Sequence, residues 1–185
     1  MLALEAESEG NASRIFSWGC GNYGVLGHGV QADEYFPRSI GSLQKAMGPT
    51  SLVAGPSCSM LMTDQGHVYY WGKHRSVGEA TMRPTLVDVL ANNQHVVTSA
   101  AGGGQTVVCS TSTGQTVAWG QGSYGEMGLE GKKSSSKPAF VPALDGIQVL
   151  DLACGVGHTL YVVEDAAESK LASVDADAVT SGLGD

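Results

Sequence analysis

The sequence predicts an all-β protein built from repeated units of short strands. Each of its three tryptophans ends a short apolar run and precedes a glycine, in residues 15–19, 68–72 and 116–120. Trp18, Trp71 and Trp119 lie 53 and 48 residues apart, and self-similarity at such a period indicates a repeat architecture. We therefore compare the chain as copies of one unit, and any site found in one copy must be checked against the others.

A glycine-rich loop follows the Trp-Gly pair in two of the copies. Residues 19–27 read Gly-Cys-Gly-Asn-Tyr-Gly-Val-Leu-Gly, and residues 120–128 match them at every glycine and at the tyrosine. The middle copy, in 72–79, is shorter and eroded. Glycine adopts positive φ without a steric penalty, so we expect positive φ at Gly24 and Gly27 and at their equivalents Gly125 and Gly128.

Further short elements follow in the same order in each copy. A proline stands first, at Pro37, Pro84 and Pro138, and each is followed by apolar residues. A second apolar run then leads into a small-residue turn, in 53–59, 100–106 and 153–159. The runs are rich in Val, Tyr, Leu and Thr, and Gly or Pro separates them, which is typical of strands. About four such strands per unit predict one blade of a β-propeller, with the Trp ring buried where blades meet.

The repeated pattern resembles that of the regulator-of-chromosome-condensation family. The shared elements are Trp-Gly-x-Gly-x-x-Gly-x-Leu-Gly, a later Pro, and Ala-Cys-Gly-x-x-His-Thr, over about residues 14 to 163. The resemblance implies a partial propeller: about three four-stranded blades of a fold that has seven blades in the family. The residues that carry the motif are Trp18, Gly19, Gly24, Gly27, Trp71, Gly72, Trp119, Gly120, Gly125, Gly128, Gly155 and His158.

Residues 79–84, 131–137 and 144–146 resemble the last blades of a mitotic, chromosome- and microtubule-associated member of that family. This likeness implies a non-catalytic interaction scaffold for a protein partner, with a small Ras-like GTPase as the expected partner. The chain would then act as a regulator or exchange factor in cell division. The founding member exchanges nucleotide on Ran through a wedge inserted in one blade. These units contain no such insertion, so exchange activity is not carried over.

Catalysis and cofactor binding are not expected. His158 has Cys58 and Gln105 at its aligned positions, and such free replacement indicates a turn-stabilising residue instead of a catalyst. Residues 19–24 and 120–125 match the dinucleotide fingerprint Gly-x-Gly-x-x-Gly. That fingerprint needs a helix after the glycines, which the further glycines here would disrupt. We expect no nicotinamide or flavin cofactor and no metal.

Charge divides the chain into three segments. The 185 residues carry a net charge of −8, and the excess acid lies in 1–13 and 164–185, which leaves 14–163 neutral. We predict the end of a preceding blade plus an acidic loop in 1–13, propeller blades in 14–163 and a disordered acidic tail in 164–185. Residues 1–5 align with 159–163, so the remaining blades are expected from a longer chain or from another copy.

Two basic clusters are the candidate partner-binding residues: Lys73, His74 and Arg75, and Lys132, Lys133 and Lys137. They lie where the repeats diverge, and propellers bind through such loops, although solvated loop charge is the alternative explanation. The sequence has no stripe of basic residues of the kind that binds nucleic acid, so we expect no nucleic-acid contact in this segment. Cysteine spacing predicts neither a zinc site nor disulfides, and no apolar segment is long enough for a membrane, so we expect an intracellular protein of the nucleus or cytoplasm.

Two other functions remain open from the sequence. Repeats of this kind also occur in larger multidomain proteins such as ubiquitin ligases, where they would recruit a substrate or partner. A small-molecule site in the central channel would need polar residues at the start of successive blades. The available residues there, Gly55, Gly102 and Gly155 with their neighbours, are small and apolar, which disfavours that function.

Overall fold

A computed structural model describes residues 1–5, 13–43, 48–74, 78–92 and 96–164, and it confirms the all-β repeat fold. Within these residues, thirteen strands form four antiparallel sheets that follow one another as blades of a partial propeller. Two four-stranded blades lie in the middle, between a three-stranded first blade and a two-stranded fourth blade.

The strands of each blade are consecutive in the chain. The first blade contains β1 (Leu2–Glu5), β2 (Arg14–Gly19) and β3 (Glu34–Ser39), and the second contains β4 (Pro49–Ala54), β5 (Cys58–Thr63), β6 (Val68–Gly72) and β7 (Thr81–Leu86). The third contains β8 (Val97–Gly102), β9 (Thr106–Thr111), β10 (Thr116–Gln121) and β11 (Ser134–Phe140), and the fourth contains β12 (Val149–Cys154) and β13 (Thr159–Val163). One short helix, α1 (Asp88–Asn92), precedes β8.

Strand register shows which strands are equivalent. Leu2 of β1 lies opposite Ser17, as Met60 of β5 lies opposite Tyr70, so β1 occupies the second-strand position of its blade. β13 has the same position in the fourth blade, as the alignment of 1–5 with 159–163 predicts. Residues 6–12 and 165–185 lie outside the described residues, so the proposed division into an acidic loop, blades and an acidic tail stays a prediction.

Three apolar clusters each lie between two neighbouring blades. The cluster between the first and second blades contains Ile15, Ile40, Leu43, Leu61 and Trp71. Equivalent clusters join the second blade to the third and the third to the fourth. Because β5 and β9 are covered on both faces, all six residues of each are buried. The equivalent strand β13 has alternating exposed and half-buried residues instead.

Each Trp-Gly pair marks an irregularity in its blade. The pairing of the third strand with the outer strand shifts register at Trp18, Trp71 and Trp119. Such a bulge re-aims a side chain, and the glycine that follows supplies the positive φ, which is 104° at Gly19, 101° at Gly72 and 114° at Gly120. The recurring dipeptide therefore directs the indole out of its own sheet and towards a neighbouring blade.

Candidate protein-interaction face

One end of the blades carries all of the long glycine-rich loops. These loops connect the third and fourth strands of each blade, and they lie beside the turns that connect the first two strands. Lys73 N donates to Ser57 O (2.7 Å), and Gln121 N donates to Gln105 O (2.9 Å), which joins loop to turn in two blades. We call this end the loop face: it comprises the described residues of 19–33, 55–57, 72–80, 103–105, 121–133 and 155–158.

The first glycine-rich loop holds the tryptophan of the next blade. Trp71 is fully buried, and its Nε1 donates a 2.7 Å hydrogen bond to the main-chain oxygen of Val25. Ser59 Oγ donates to the same oxygen at 2.9 Å. A Cβ atom at Gly27 would lie 3.2 Å from that Nε1, which is tighter than ordinary van der Waals contact, so the absence of a side chain favours the close approach. Trp119 is also buried, whereas Trp18 is half-buried in the first blade.

The eroded middle loop uses a different contact. His74 Nδ1 lies 2.9 Å from the hydroxyl of Tyr70, and the Tyr70 ring packs edge-on against Trp119 with 6.4 Å between ring centroids. Burial raises the pKa of Tyr70 well above its ordinary value. His74 is thus half-buried and supports the contact between the second and third blades. Sequence comparison missed Tyr70 because its equivalents, Ser17 and Ala118, are much smaller.

Lys73 lies on the loop face and contacts the neighbouring loop. Its Nζ lies 5.8 Å from the ring centroid of Tyr23, within reach of a cation–π interaction. Arg75 lies outside the described residues. An open recess of about 470 Å³ between the first two loops is lined by Tyr23, Gln31, Lys73, Gly78, Glu79, Ala80 and Met82.

The third loop, 121–133, presents exposed charged and aromatic side chains on the face. Lys132 and Lys133 are exposed on it, and Tyr124 has 83% of its surface exposed. The Tyr124 amide donates to Glu126 Oε2 at 2.8 Å, which orders the base of the loop. Lys137 is also exposed, but it lies on the outer strand β11 and not on this loop.

His158 lies in the turn between β12 and β13. Its ring lies against Gly155, where an added Cβ would be 2.3 Å from Cε1, and its main-chain oxygen accepts from Gly155 N at 2.9 Å. The same main-chain bond joins Gly55 to Cys58 and Gly103 to Thr106. The alignment of His158 with Gln105 was therefore wrong by one residue, and Thr106 is the equivalent. Because the turn is closed by main chain, its side chain can vary.

The described residues contain one serine–histidine pair, and its geometry excludes nucleophilic catalysis. Ser17 is fully buried, and its Oγ lies 2.6 Å from Leu26 O and 2.9 Å from His28 Nε2. The hydroxyl has one hydrogen, which it donates to the Leu26 carbonyl, so it accepts from the imidazole. The pair thus anchors the loop after β2.

Neither a metal-binding cluster nor a membrane-spanning helix occurs among the residues that the structure describes. No group of three or more His, Cys, Asp or Glu side chains there could hold a metal ion. No helix among those residues is long and apolar enough to cross a membrane.

Comparison with known proteins identifies the repeat. Residues 13–62 and 113–162 match the regulator of chromosome condensation (RCC1) repeat. Over 161 residues the chain is 34% identical to mouse Protein RCC2, which covers 85% of this chain and 30% of RCC2. Over 152 residues it is 34% identical to the human E3 ubiquitin-protein ligase HERC2, which covers 79% of this chain and 3% of HERC2. The chain thus spans about a third of the length of RCC2 and a small fraction of the length of HERC2.

Two solved structures share the fold. Prp20p of Saccharomyces cerevisiae was described together with its binding to Gsp1p and histones. Its structure matches this chain with a TM-score of 0.74 at 17% identity, and the match covers 97% of this chain and 45% of Prp20p. Human WBSCR16 matches with a TM-score of 0.68 at 20% identity, and the match covers 88% of this chain and 42% of WBSCR16. Because the matched repeats cover more than half of the 185 residues, the protein belongs to the RCC1 repeat family.

Proposed function

We propose that the chain is part of a non-catalytic β-propeller scaffold that binds a protein partner through its loop face. The observation that carries this proposal is the 121–133 loop, which presents Tyr124, Lys132 and Lys133 to solvent from a blade whose central strands, β9 and β10, are buried. A rigid scaffold with exposed aromatic and cationic loop residues is typical of protein-binding surfaces. Lys73 and the recess beside it extend the same surface to the first two blades.

A small Ras-like GTPase is the partner that we propose. The resemblance to the mitotic family member supports this choice, and so does the binding of Gsp1p by the structural relative Prp20p. The proposed setting is cell division, in the nucleus or cytoplasm. Exchange by such a scaffold would need no covalent chemistry, because loops that disturb the magnesium and phosphate contacts of the GTPase release its nucleotide.

Capture of purified GTPases tests the proposal. The immobilised chain would be presented with Gsp1p and a panel of other small Ras-like GTPases, each in GDP-bound and nucleotide-free form. We expect saturable capture of at least one, and we expect Lys132→Glu with Lys133→Glu to weaken it about tenfold, because rim cations steer association. The melting temperature of the variant checks that the fold is intact.

A matched control uses strand residues of the first blade. Arg14→Glu with Arg38→Glu changes the net charge by the same amount on β2 and β3, and it should leave capture largely unchanged. Equal weakening by both pairs would show that capture responds to total charge instead of the loop. Failure of every GTPase in the panel to bind would contradict the proposed partner.

The likeness to HERC2 supports a second candidate function, a partner-recruiting arm of a larger multidomain protein. Sequencing of full-length transcripts would distinguish the two, since an in-frame catalytic domain is required by the second candidate alone. A channel site for a small molecule finds no support at the inner turns. There, an added Cβ at Gly103 would lie 2.6 Å from Gly155 O, and one at Gly55 would lie 3.1 Å from Gly102 O.

A further inference from the structure

We propose that Ser136 is a phosphorylation site for a serine/threonine kinase that selects basic substrates, and that its phosphate lowers the positive charge beside the 121–133 loop. The modification itself depends only on the residues around Ser136. Its effect on binding rests on the proposed function, because that loop carries the candidate contact with the partner.

Basic residues surround a run of three serines where the third loop enters β11. Residues 132–137 read Lys-Lys-Ser-Ser-Ser-Lys, so that Lys133 stands three residues before Ser136 and Lys137 directly follows it. Kinases choose their substrates partly by the pattern of charges beside the acceptor residue, and like charges exclude the wrong ones. A kinase with an acidic substrate groove, which reads the residue three positions before the acceptor, would therefore accept this segment.

The hydroxyl groups of the run differ in accessibility. Ser135 is half-buried, and its Oγ donates a 2.7 Å hydrogen bond to the main-chain oxygen of Lys137. Ser134 and Ser136 are both exposed. Of these two, Ser136 alone has a lysine three residues before it, since the lysines before Ser134 are its two immediate predecessors. Exposure and charge pattern together therefore select Ser136.

The strand pairing also favours Ser136. The two serines before it lie opposite residues 120 and 121 of β10, and pairing resumes only at Ala139, so Ser136 lies in the bulge between them. β11 is an outer strand, which among the described residues pairs with β10 alone. A segment at a bulge of an outer strand can leave the sheet with little loss of main-chain pairing, as a kinase groove requires.

Packing does not account for a serine at this position. The equivalent residue of the second blade, two positions before the proline, is Met82, which is half-buried. Its main-chain oxygen accepts a 2.9 Å hydrogen bond from Gly29 N, and an added Cβ at Gly24 would lie 2.7 Å from its Sδ. The third blade therefore has an exposed hydroxyl where the second blade has a packed methionine.

The modification is a phosphoryl transfer from ATP. Ser136 Oγ attacks the γ-phosphorus, and a bond forms between these two atoms. The bond from the γ-phosphorus to the β,γ-bridging oxygen breaks, and ADP leaves with its electron pair. The hydroxyl proton passes to the catalytic-loop aspartate of the kinase.

The phosphate would offset most of the positive charge of the segment. It carries about −1.5 to −2 at pH 7, against the three lysines of residues 131–137. This change is about half of that made by Lys132→Glu with Lys133→Glu, so phosphorylation should weaken capture of the partner about threefold.

Mass spectrometry of the kinase-treated chain tests the site. The whole 185-residue chain is incubated with Mg-ATP and calcium/calmodulin-dependent protein kinase II, which selects basic substrates, or with casein kinase 2, which selects acidic ones. We expect phosphate at Ser136 with the first kinase alone. Ser136→Ala and Lys133→Glu should each lower the phosphate found in residues 134–136 about tenfold, and Ser135→Ala should leave it unchanged.

Ser123 is the matched control within the same loop. It is also exposed, but no basic residue lies within three positions of it, so it should remain unmodified. A synthetic peptide of residues 129–141 shows whether the fold contributes. In the peptide, Ser135 is freed from the sheet and has lysines two and three positions before it, so it should also accept phosphate. In the folded chain, Ser136 should exceed Ser135 about tenfold.

Three outcomes would overturn the phosphorylation site. They are the absence of phosphate at Ser136, equal labelling of Ser123, and the same division between Ser135 and Ser136 in the peptide and in the folded chain. The effect on the loop is tested by capture of the GTPase with the phosphorylated chain and with kinase-treated Ser136→Ala. Equal capture by the two would overturn that effect. Failure of every GTPase to bind would contradict the proposed function, while the mass of the treated chain still decides the site.

Discussion

The indole Nε1 of Trp71 donates a 2.7 Å hydrogen bond to the main-chain oxygen of Val25, which lies 46 residues earlier in the chain. The bond joins the second blade to the loop of the first. At this pair of blades the tryptophan and the glycine-rich loop are therefore two sides of one interface, and the loop of the first unit receives the tryptophan of the second. This hydrogen bond therefore connects two parts of the repeat motif, the tryptophan and the glycine-rich loop, across the boundary between blades.

Removal of the Trp71 ring should destabilise the protein severely. Trp71→Ala removes a fully buried side chain, and we expect a loss of about 3–5 kcal/mol in the free energy of unfolding. Urea titration followed by circular dichroism measures it. Tyr124→Ala is the control, since its ring is 83% exposed and should cost less than about 0.5 kcal/mol. Equal losses would contradict the interblade role of Trp71.

The glycine in the receptor loop can be tested against a glycine with the same backbone conformation. Gly27 and Gly131 have φ of 76° and 75°, but an added Cβ meets Trp71 and Pro84 at Gly27 and nothing within 4 Å at Gly131. Alanine at either position costs about 1–2 kcal/mol for its left-handed backbone. Gly27→Ala should cost clearly more, as measured by thermal unfolding. If the two melting temperatures fall equally, the close approach to Trp71 contributes nothing.

The stability of the first blade should depend on pH through His28. Partial burial, and then the Arg38 cation, lowers the pKa of His28 below its usual 6.5, with Arg83 adding to the effect and Glu34 and Ser17 opposing it. The unfolded chain therefore takes up this proton more readily, so stability declines as pH falls below about 6.5. His28→Gln keeps a donor towards Ser17 but does not titrate.

We expect the melting temperature of the unaltered chain to fall relative to that of His28→Gln when the pH is lowered from about 7.5 to about 5.5. Subtracting the melting temperature of the variant from that of the unaltered chain at each pH removes the contributions of the other titrating groups. A difference that stays constant, or that grows in favour of the unaltered chain at low pH, would contradict this account of the Ser17–His28 pair.

The cysteines should differ sharply in reactivity. Cys20 is exposed, whereas Cys58 and Cys109 are buried, and burial raises the pKa of the Cys58 thiol to about 12 and raises that of Cys109 as well. Thiolate is the reactive form. Iodoacetamide at about pH 8 should therefore label Cys20 in the folded protein, and Cys58 and Cys109 only after unfolding. Mass spectrometry of the peptides measures this, and early labelling of Cys109 would show that the β9 region opens readily.

Comparison of the repeats predicted the fold well because distinctive residues mark the same strand in each copy. Tryptophan before glycine marks the bulged third strand, and proline marks the outer strand, so each blade can be placed without knowledge of tertiary contacts. Contacts between units were harder to predict. The contact between Gly27 and Trp71 depends on which blade lies beside the loop. The spacing of residues within one repeat does not show which blade that is.

Two local features escaped prediction for different reasons. His74 was predicted as a loop cation, but it also bonds Tyr70, a contact peculiar to the eroded copy that comparison with intact copies could not show. The turn at Gly102–Gly103–Gly104 was aligned one residue out of register, because three consecutive glycines fit the pattern in either position. Hydrogen bonding between Gly103 and Thr106 decides the register.

Hydrogen–deuterium exchange of the chain with and without a captured GTPase tests the central claim, that a protein partner binds the loop face. We predict that the partner slows exchange at amides of 121–133 and of 72–74, while the opposite end of the blades, including Gly41–Leu43 and α1, exchanges unchanged. Slowed exchange confined to that opposite end, with none in 121–133, would contradict the account.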